Sequence, residues 1–96
     1  MSSDERDLLQ MIADSPEPVA MSDCFPVLNP GEPGMDENHP GHEAWTERQI
    51  AWYGVSLQLW KRKLVRVVVP ADGSHSDLVE VTDAGRQALH AAAVHA

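Results

Sequence analysis

The sequence has little of several features that would narrow its function. Its single cysteine, Cys24, excludes a disulfide within the chain, and no CxxC motif or zinc ribbon is present. The longest apolar run, residues 67–71, is far too short to cross a bilayer, and no apolar run flanked by positive charge indicates a signal peptide. These absences predict a cytoplasmic protein that has no membrane partner.

Catalytic signatures are also missing. The chain has no nucleophile elbow and no glycine-rich phosphate loop. Nothing in the sequence supplies an activating partner for Cys24, which we interpret as a small buried apolar residue. We therefore predict a protein without enzymatic activity and without a cofactor.

Basic residues are scarce, with 7 Lys and Arg against 15 Asp and Glu, for a formal net charge of −8. The imbalance lies in residues 1–44, which contain ten acidic side chains and only Arg6 as a base. Residues 45–96 contain six bases and five acids. Because nucleic-acid binding depends on Lys and Arg that neutralise phosphates, only a local basic surface in the second half could bind DNA.

The remaining composition is sufficient for one small domain over residues 1–96, since 43% of the residues are hydrophobic and three are tryptophan. Ser2 followed by Glu5 is a capping box, which predicts a helix that ends at the SPEP segment. Residues 19–28 fit either a short helix or an irregular apolar strap. Residues 29–43, rich in proline, glycine and acidic side chains, predict a long loop.

The second half predicts the longest helix, a β-hairpin and a last helix. The longest helix runs from a cap at Thr46 to near Leu64. Residues 64–69 are rich in β-branched side chains and residues 78–82 alternate apolar with polar ones, so they predict two paired strands. Thr82 then caps the last helix.

The stretch LVEVTDAGRQAL, residues 78–89, resembles the strand after the wing in MarR-type and PadR-type winged-helix regulators. In those families this strand often reads LTxxGRxxL, and the matching positions here are Val81, Thr82, Gly85, Arg86 and Leu89. The resemblance covers residues 45–92. It implies an α+β fold, a winged helix-turn-helix of three or four helices with a two-stranded β-hairpin wing. It also implies a small bacterial DNA-binding transcriptional regulator.

Two features depart from those families. The loop at 29–43 separates the helices that normally form a compact helix-turn-helix. The predicted wing carries Asp72, Asp77 and His75 where DNA-binding wings offer Arg or Lys, and an acidic wing repels phosphates. Within the motif itself, Thr82 and Gly85 are interpreted as scaffold residues, with Gly85 allowing the last helix a close approach.

The long helix has two apolar faces on a helical wheel. We predict that one faces the core: Ile50, Tyr53, Leu57, Trp60 and Leu64. The opposite face carries Trp45, Trp52, Val55 and Leu59. This second face is either covered by the N-terminal segment and the loop, or it forms the interface of a homodimer or another protein partner.

The residues that would contact DNA are on or next to the same helix: Arg48, Gln49, Lys61, Arg62, Lys63 and Arg66. Most of these cations lie near the C-terminus of the helix, where they also suit the helix dipole. The alternative function is a protein-interaction winged helix, whose acidic N-terminal half and tryptophan-rich helix face bind a protein partner in place of DNA.

The segment DENHPGHE, residues 36–43, combines two histidines with three carboxylates, which are groups that can hold zinc or nickel. Its spacing is typical of an acidic solvated loop, and no metal site is predicted. A metal-responsive sensor is the third alternative for the function.

Overall fold

The computed structural model describes residues 1–31, 36 and 38–94. In chain order its elements are α1 (Ser3–Asp14), β1 (Val19–Ala20), α2 (Met21–Leu28), α3 (His42–Lys61), β2 (Val65–Val69), β3 (Leu78–Val81) and α4 (Asp83–Val94). The strands form one antiparallel sheet in the order β1-β3-β2. Over the described residues the fold is therefore α+β, with four helices and a small three-stranded sheet.

Helix α1 begins as the capping box predicts. The Glu5 backbone N–H donates to Ser2 Oγ at 3.1 Å, and the Ser2 hydroxyl donates to Glu5 Oε1 at 3.1 Å. The helix ends at Asp14, two residues before Pro16, because the residue that precedes a proline avoids helical backbone. Its buried face consists of Leu8, Leu9 and Ile12.

Residues 19–28 form a short strand and then a helix, so the helical alternative is correct for most of the segment. Val19 pairs with Val79, which makes β1 the third strand of the sheet. The sequence does not predict this strand, since two residues are too few to show alternation. Cys24 and Phe25 on α2 are buried in the core.

Helix α3 begins at His42 with Gly41 as its N-cap, so the cap predicted at Thr46 is wrong. Lys63 follows the helix with a left-handed φ of 59°. The Leu64 N–H returns to the Leu59 carbonyl at 3.0 Å, which closes the helix end and leads into β2.

The predicted hairpin is present, with Arg66 opposite Glu80 and Val67 opposite Val79. The register shifts between Val67 and Val69, which is the irregularity that a β-bulge produces. In the sheet order β2 is an edge strand.

The cap predicted for the last helix is confirmed, because the Gly85 N–H donates to Thr82 Oγ1 at 3.1 Å. The Thr82 hydroxyl in turn donates to the Lys63 carbonyl at 2.7 Å, which ties the start of α4 to the end of α3. A Cβ atom on Gly85 would overlap the Leu64 carbonyl oxygen and lie 2.6 Å from Val81 Cγ1. The close approach predicted for this glycine is therefore confirmed.

The core lies between α3, the sheet and the other helices, with α1 packed against all three other helices and β3. Its fully buried large side chains are Leu8, Leu9, Leu59 and Val79. None of the helices in the described part of the chain combines the length and the apolar character that a membrane span requires.

Candidate functional site

The predicted partner-facing side of α3 lies in the core. Trp52 is 2% exposed and Leu59 is 0% exposed. Val55 is half-buried against the same core. Trp45 is also half-buried, with its Nε1 donating to the Asn29 carbonyl at 3.0 Å. Since α1 and α2 both pack against α3, covering within the chain is the correct alternative, and these four side chains belong to the fold and not to a docking surface.

The opposite side of α3 is exposed, so the prediction that it faces the core is wrong. The exposed fractions are 66% for Ile50, 60% for Tyr53, 39% for Leu57 and 56% for Trp60. Only Leu64, which lies beyond the end of the helix, is buried. We call Ile50, Tyr53, Leu57 and Trp60 together the α3 surface.

A signal for this orientation is present in the sequence, in the positions of the charges. Glu43, Glu47 and Lys61 fall on the same side of the helical wheel as Ile50, while the side around Leu59 carries Arg48 as its only charge within α3. Charged residues rarely face a core. Counting apolar residues alone treats the two faces as equal and misses this asymmetry.

A half-open groove adjoins the α3 surface, with a volume of about 390 Å³. It runs between α3, the first turns of α2 and the hairpin. The apolar residues that line it include Met21, Phe25, Tyr53, Leu57, Trp60 and Val67. At its floor the Ser56 hydroxyl donates to the Tyr53 carbonyl at 2.6 Å, so the buried polar side chain on this side of α3 is satisfied by its own helix. The groove therefore offers mainly apolar contacts, and its other polar lining residues are Ser22, Ser76 and Asp77.

Two of the predicted DNA-contacting arginines are directed to α1. Arg48 Nη1 lies 3.3 Å from Asp4 Oδ2, and its guanidinium carbon lies 5.2 Å from the centre of the Trp52 ring. Arg62 Nη1 lies 2.6 Å from Glu5 Oε2. The acidic first turn of α1 thus forms ion pairs with both cations within the chain.

The remaining predicted DNA contacts divide into two groups. Arg66 pairs with Glu80, the residue opposite it on β3, and Gln49 Oε1 accepts a hydrogen bond from Asn29 Nδ2 at 3.1 Å. Lys61 and Lys63 are exposed, and neither is in an ion pair with any described residue. The structure therefore does not gather the six residues into one free basic surface.

The acidic side chains of the hairpin turn hold the turn together. The Asp72 carboxylate accepts from the Ser74 hydroxyl at 2.6 Å and from the Ser74 N–H at 2.9 Å, which lowers the pKa of Asp72. Asp77 Oδ1 accepts from the Ala71 N–H at 2.7 Å. Asp72 is thereby kept ionised, and the turn presents negative charge to solvent.

Within the described residues, no group of three or more His, Cys, Asp or Glu side chains is arranged to hold a metal ion. Glu37, one member of the segment at 36–43, lies outside the described residues. His42 stacks against Trp45 with 6.3 Å between ring centres, and the His39 ring accepts from the Gly41 N–H at 2.9 Å. Both histidines thus have roles in the entry to α3.

Cys24 is buried, and desolvation together with the neighbouring Asp23 carboxylate raises the pKa of its thiol. A raised pKa keeps the thiol protonated and disfavours nucleophilic chemistry.

Comparison of the chain with protein-family models, with curated proteins and with solved structures gave no match.

Proposed function

We propose that the chain is a winged helix that binds protein, and that it does so through the α3 surface. The observation that carries this proposal is the exposure of four large apolar side chains along one face of the central helix. Large contiguous apolar patches are uncommon on the surface of monomers and mark interaction sites. Aromatic side chains such as Tyr53 and Trp60 are enriched at the centres of protein interfaces.

The winged-helix assignment is supported by the order of the elements. The strand β1 precedes α2, the long α3 leads into the β2–β3 hairpin, and β3 lies between the other two strands. In a winged helix α3 takes the place of the recognition helix and the hairpin takes the place of the wing. The outward face of α3 is therefore where such a protein meets its ligand.

The charges on this face favour protein over DNA. Its N-terminal half carries Glu43 and Glu47, which repel phosphates. Away from this face, Arg48 and Arg62 form ion pairs with acidic residues of α1, and the hairpin turn displays Asp72 and Asp77. A protein ligand that buries apolar surface is not repelled as phosphates are, because its binding does not depend on free cations on this face.

The proposal is tested by selecting ligands from a displayed library of helical peptides and titrating the selected peptides against the full chain. We expect them to carry aliphatic side chains on one helical face, and to lose binding about tenfold or more with Leu57→Glu. The matched control is Val27→Glu, an exposed apolar residue on the side of α2 away from Phe25. Equal binding by the two variants would contradict the proposal.

DNA binding is the second candidate, because Lys61 and Lys63 are free of ion pairs among the described residues. It predicts affinity for a labelled random-sequence duplex that falls steeply with salt and is lost in Lys61→Glu/Lys63→Glu. Salt-steep binding of this kind, unchanged by Leu57→Glu, would assign the function to DNA. Absence of duplex binding at low salt would remove the second candidate.

A further inference from the structure

We propose that the partner at the α3 surface is a second copy of this chain, bound with its α3 antiparallel to the first. This inference rests on the proposed function, since it names the protein that the α3 surface binds. Three observations support it: the spacing of the exposed residues, the separation of the free charges along the helix, and a glycine at the middle of the seam.

The first observation is a seam with the spacing of a coiled coil. Starting at position 43, the outward residues follow at intervals of four, three, four, three and four: Glu43, Glu47, Ile50, Gly54, Leu57 and Lys61. Intervals of three and four keep residues on one face of a helix, and this alternation lets two helices stay in contact along their length. Tyr53 and Trp60 flank the seam on the side of the groove.

The second observation is that the free charges have opposite signs at the two ends of the seam. Glu43 and Glu47 lie in its N-terminal part, and Lys61 lies at its C-terminal end. All three are exposed and, within the described residues, none is in an ion pair. The distribution suits the helix dipole, and Glu43 and Lys61 also make the two ends of the seam complementary when a second copy runs in the opposite direction.

An antiparallel pairing brings the ends of the seam together. Glu43 and Lys61 are 18 positions apart in the sequence, or about 27 Å along the helix at 1.5 Å per residue. A two-fold axis near the middle of this span places Glu43 opposite Lys61 of the partner subunit, and the reverse. A parallel pairing would instead oppose acid to acid and lysine to lysine, so charge selects the antiparallel direction.

The third observation is Gly54, which sits at the middle of the seam. A Cβ atom added there would meet nothing within 4 Å, so the fold of the single chain does not require glycine. Glycine in a helix interior is destabilising relative to alanine. In the antiparallel pairing Gly54 lies opposite Ile50 of the partner subunit, where a residue without a side chain allows the helices to approach and accepts the isoleucine.

The test is sedimentation equilibrium of the full chain and of two charge-reversal variants, Glu43→Lys and Lys61→Glu. The wild-type chain is expected to sediment with twice its monomer mass of 10.5 kDa. Each variant alone opposes like charges and should raise the dimer Kd about tenfold or more. An equimolar mixture of the two, or the double variant Glu43→Lys/Lys61→Glu, restores opposite charges and should recover the dimer. Far-UV circular dichroism checks that each variant is folded.

The outcomes separate the inference from the proposed function. A monomeric wild-type chain, or single variants that dimerise as tightly as the wild type, would overturn self-association. If selected peptides still required Leu57 in that case, the α3 surface would keep its role with a different protein. If Leu57→Glu changed neither the sedimenting mass nor peptide binding, both proposals would fail. Weakening in each single variant together with recovery in the double variant supports the antiparallel pairing specifically, because a parallel pairing opposes like charges in all of these homodimers.

Discussion

The orientation of α3 can be tested with two leucines that are two positions apart. Leu59 is 0% exposed and Leu57 is 39% exposed at the rim of the groove. Replacing each with alanine removes the same atoms from the same helix, so helix propensity and composition change equally. The difference in stability between the two variants therefore reports which side of α3 faces the core.

The expected magnitudes follow from burial. Leu59→Ala loses the full transfer free energy and leaves an internal cavity, which together lower the free energy of unfolding by about 3–5 kcal/mol. Leu57→Ala removes three carbon atoms that are only partly buried, at roughly 0.8 kcal/mol each when fully buried, and water fills the space. Its expected cost is about 1.5 kcal/mol. The difference of about 1.5–3.5 kcal/mol corresponds to roughly 6–28 °C in Tm for a domain of this size.

The assay is urea unfolding monitored by tryptophan fluorescence. It is run at the lowest protein concentration that the signal permits, so that self-association contributes little to the measured free energy of unfolding. We expect Leu59→Ala to have the lower midpoint by a wide margin. If Leu57→Ala cost as much as Leu59→Ala or more, the outward orientation of the α3 surface would be refuted, and the arrangement first predicted from the sequence would be correct.

Three further predictions concern two glycines and the cysteine. Gly85→Ala should lower the free energy of unfolding, measured by urea unfolding, by about 1–3 kcal/mol, because the added Cβ overlaps the atoms beneath it. The control is Gln87→Ala on the exposed side of α4, which should have little effect. An equally small effect of Gly85→Ala would contradict the close contact. Gly54→Ala should raise the free energy of unfolding of the monomer by about 0.5–1 kcal/mol and weaken the dimer, two effects of opposite sign that sedimentation and urea unfolding separate. Cys24 should react more slowly with a disulfide reagent at neutral pH in the folded chain than in urea, since burial and then Asp23 raise the pKa of its thiol above the ordinary 9.0. Because the pKa of the Cys24 thiol is higher in the folded chain, this group stabilises the fold below pH 9.0, its ordinary pKa. That contribution is lost as the pH rises through the pKa of the thiol in the folded chain. Equal reaction rates in the folded chain and in urea would refute the burial of Cys24.

The elements with local signals were predictable from the sequence. The capping box at Ser2, the cap at Thr82 and the close approach at Gly85 depend on residues within a few positions of one another, and all three are present. The strand β1 was not predictable, because its two residues become a strand only by pairing with β3. Its assignment depends on tertiary contacts that no local pattern encodes.

The position of the site was predictable from the apolar pattern of the long helix, but that pattern alone did not give its orientation. The sequence places the candidate surface on the long helix and identifies both of its apolar faces. The charges at Glu43, Glu47 and Lys61 indicate which face is outward, and the packing of α1 and α2 on the side of Trp52 and Leu59 establishes it. The basic residues show the same limit, because the ion pairs of Arg48 and Arg62 join residues that are more than forty positions apart in the sequence.

We propose the outward face of α3 as the surface through which this protein makes contacts. A dilution series of the full chain, monitored by backbone amide NMR, shows which residues take part in them. We expect concentration-dependent shifts or broadening confined to the α3 surface and the seam, with Ile50 and Leu57 affected and Val27 unchanged. Changes centred on Arg48 and α1 would contradict this role of the α3 surface, whereas spectra that do not depend on concentration would overturn its self-association.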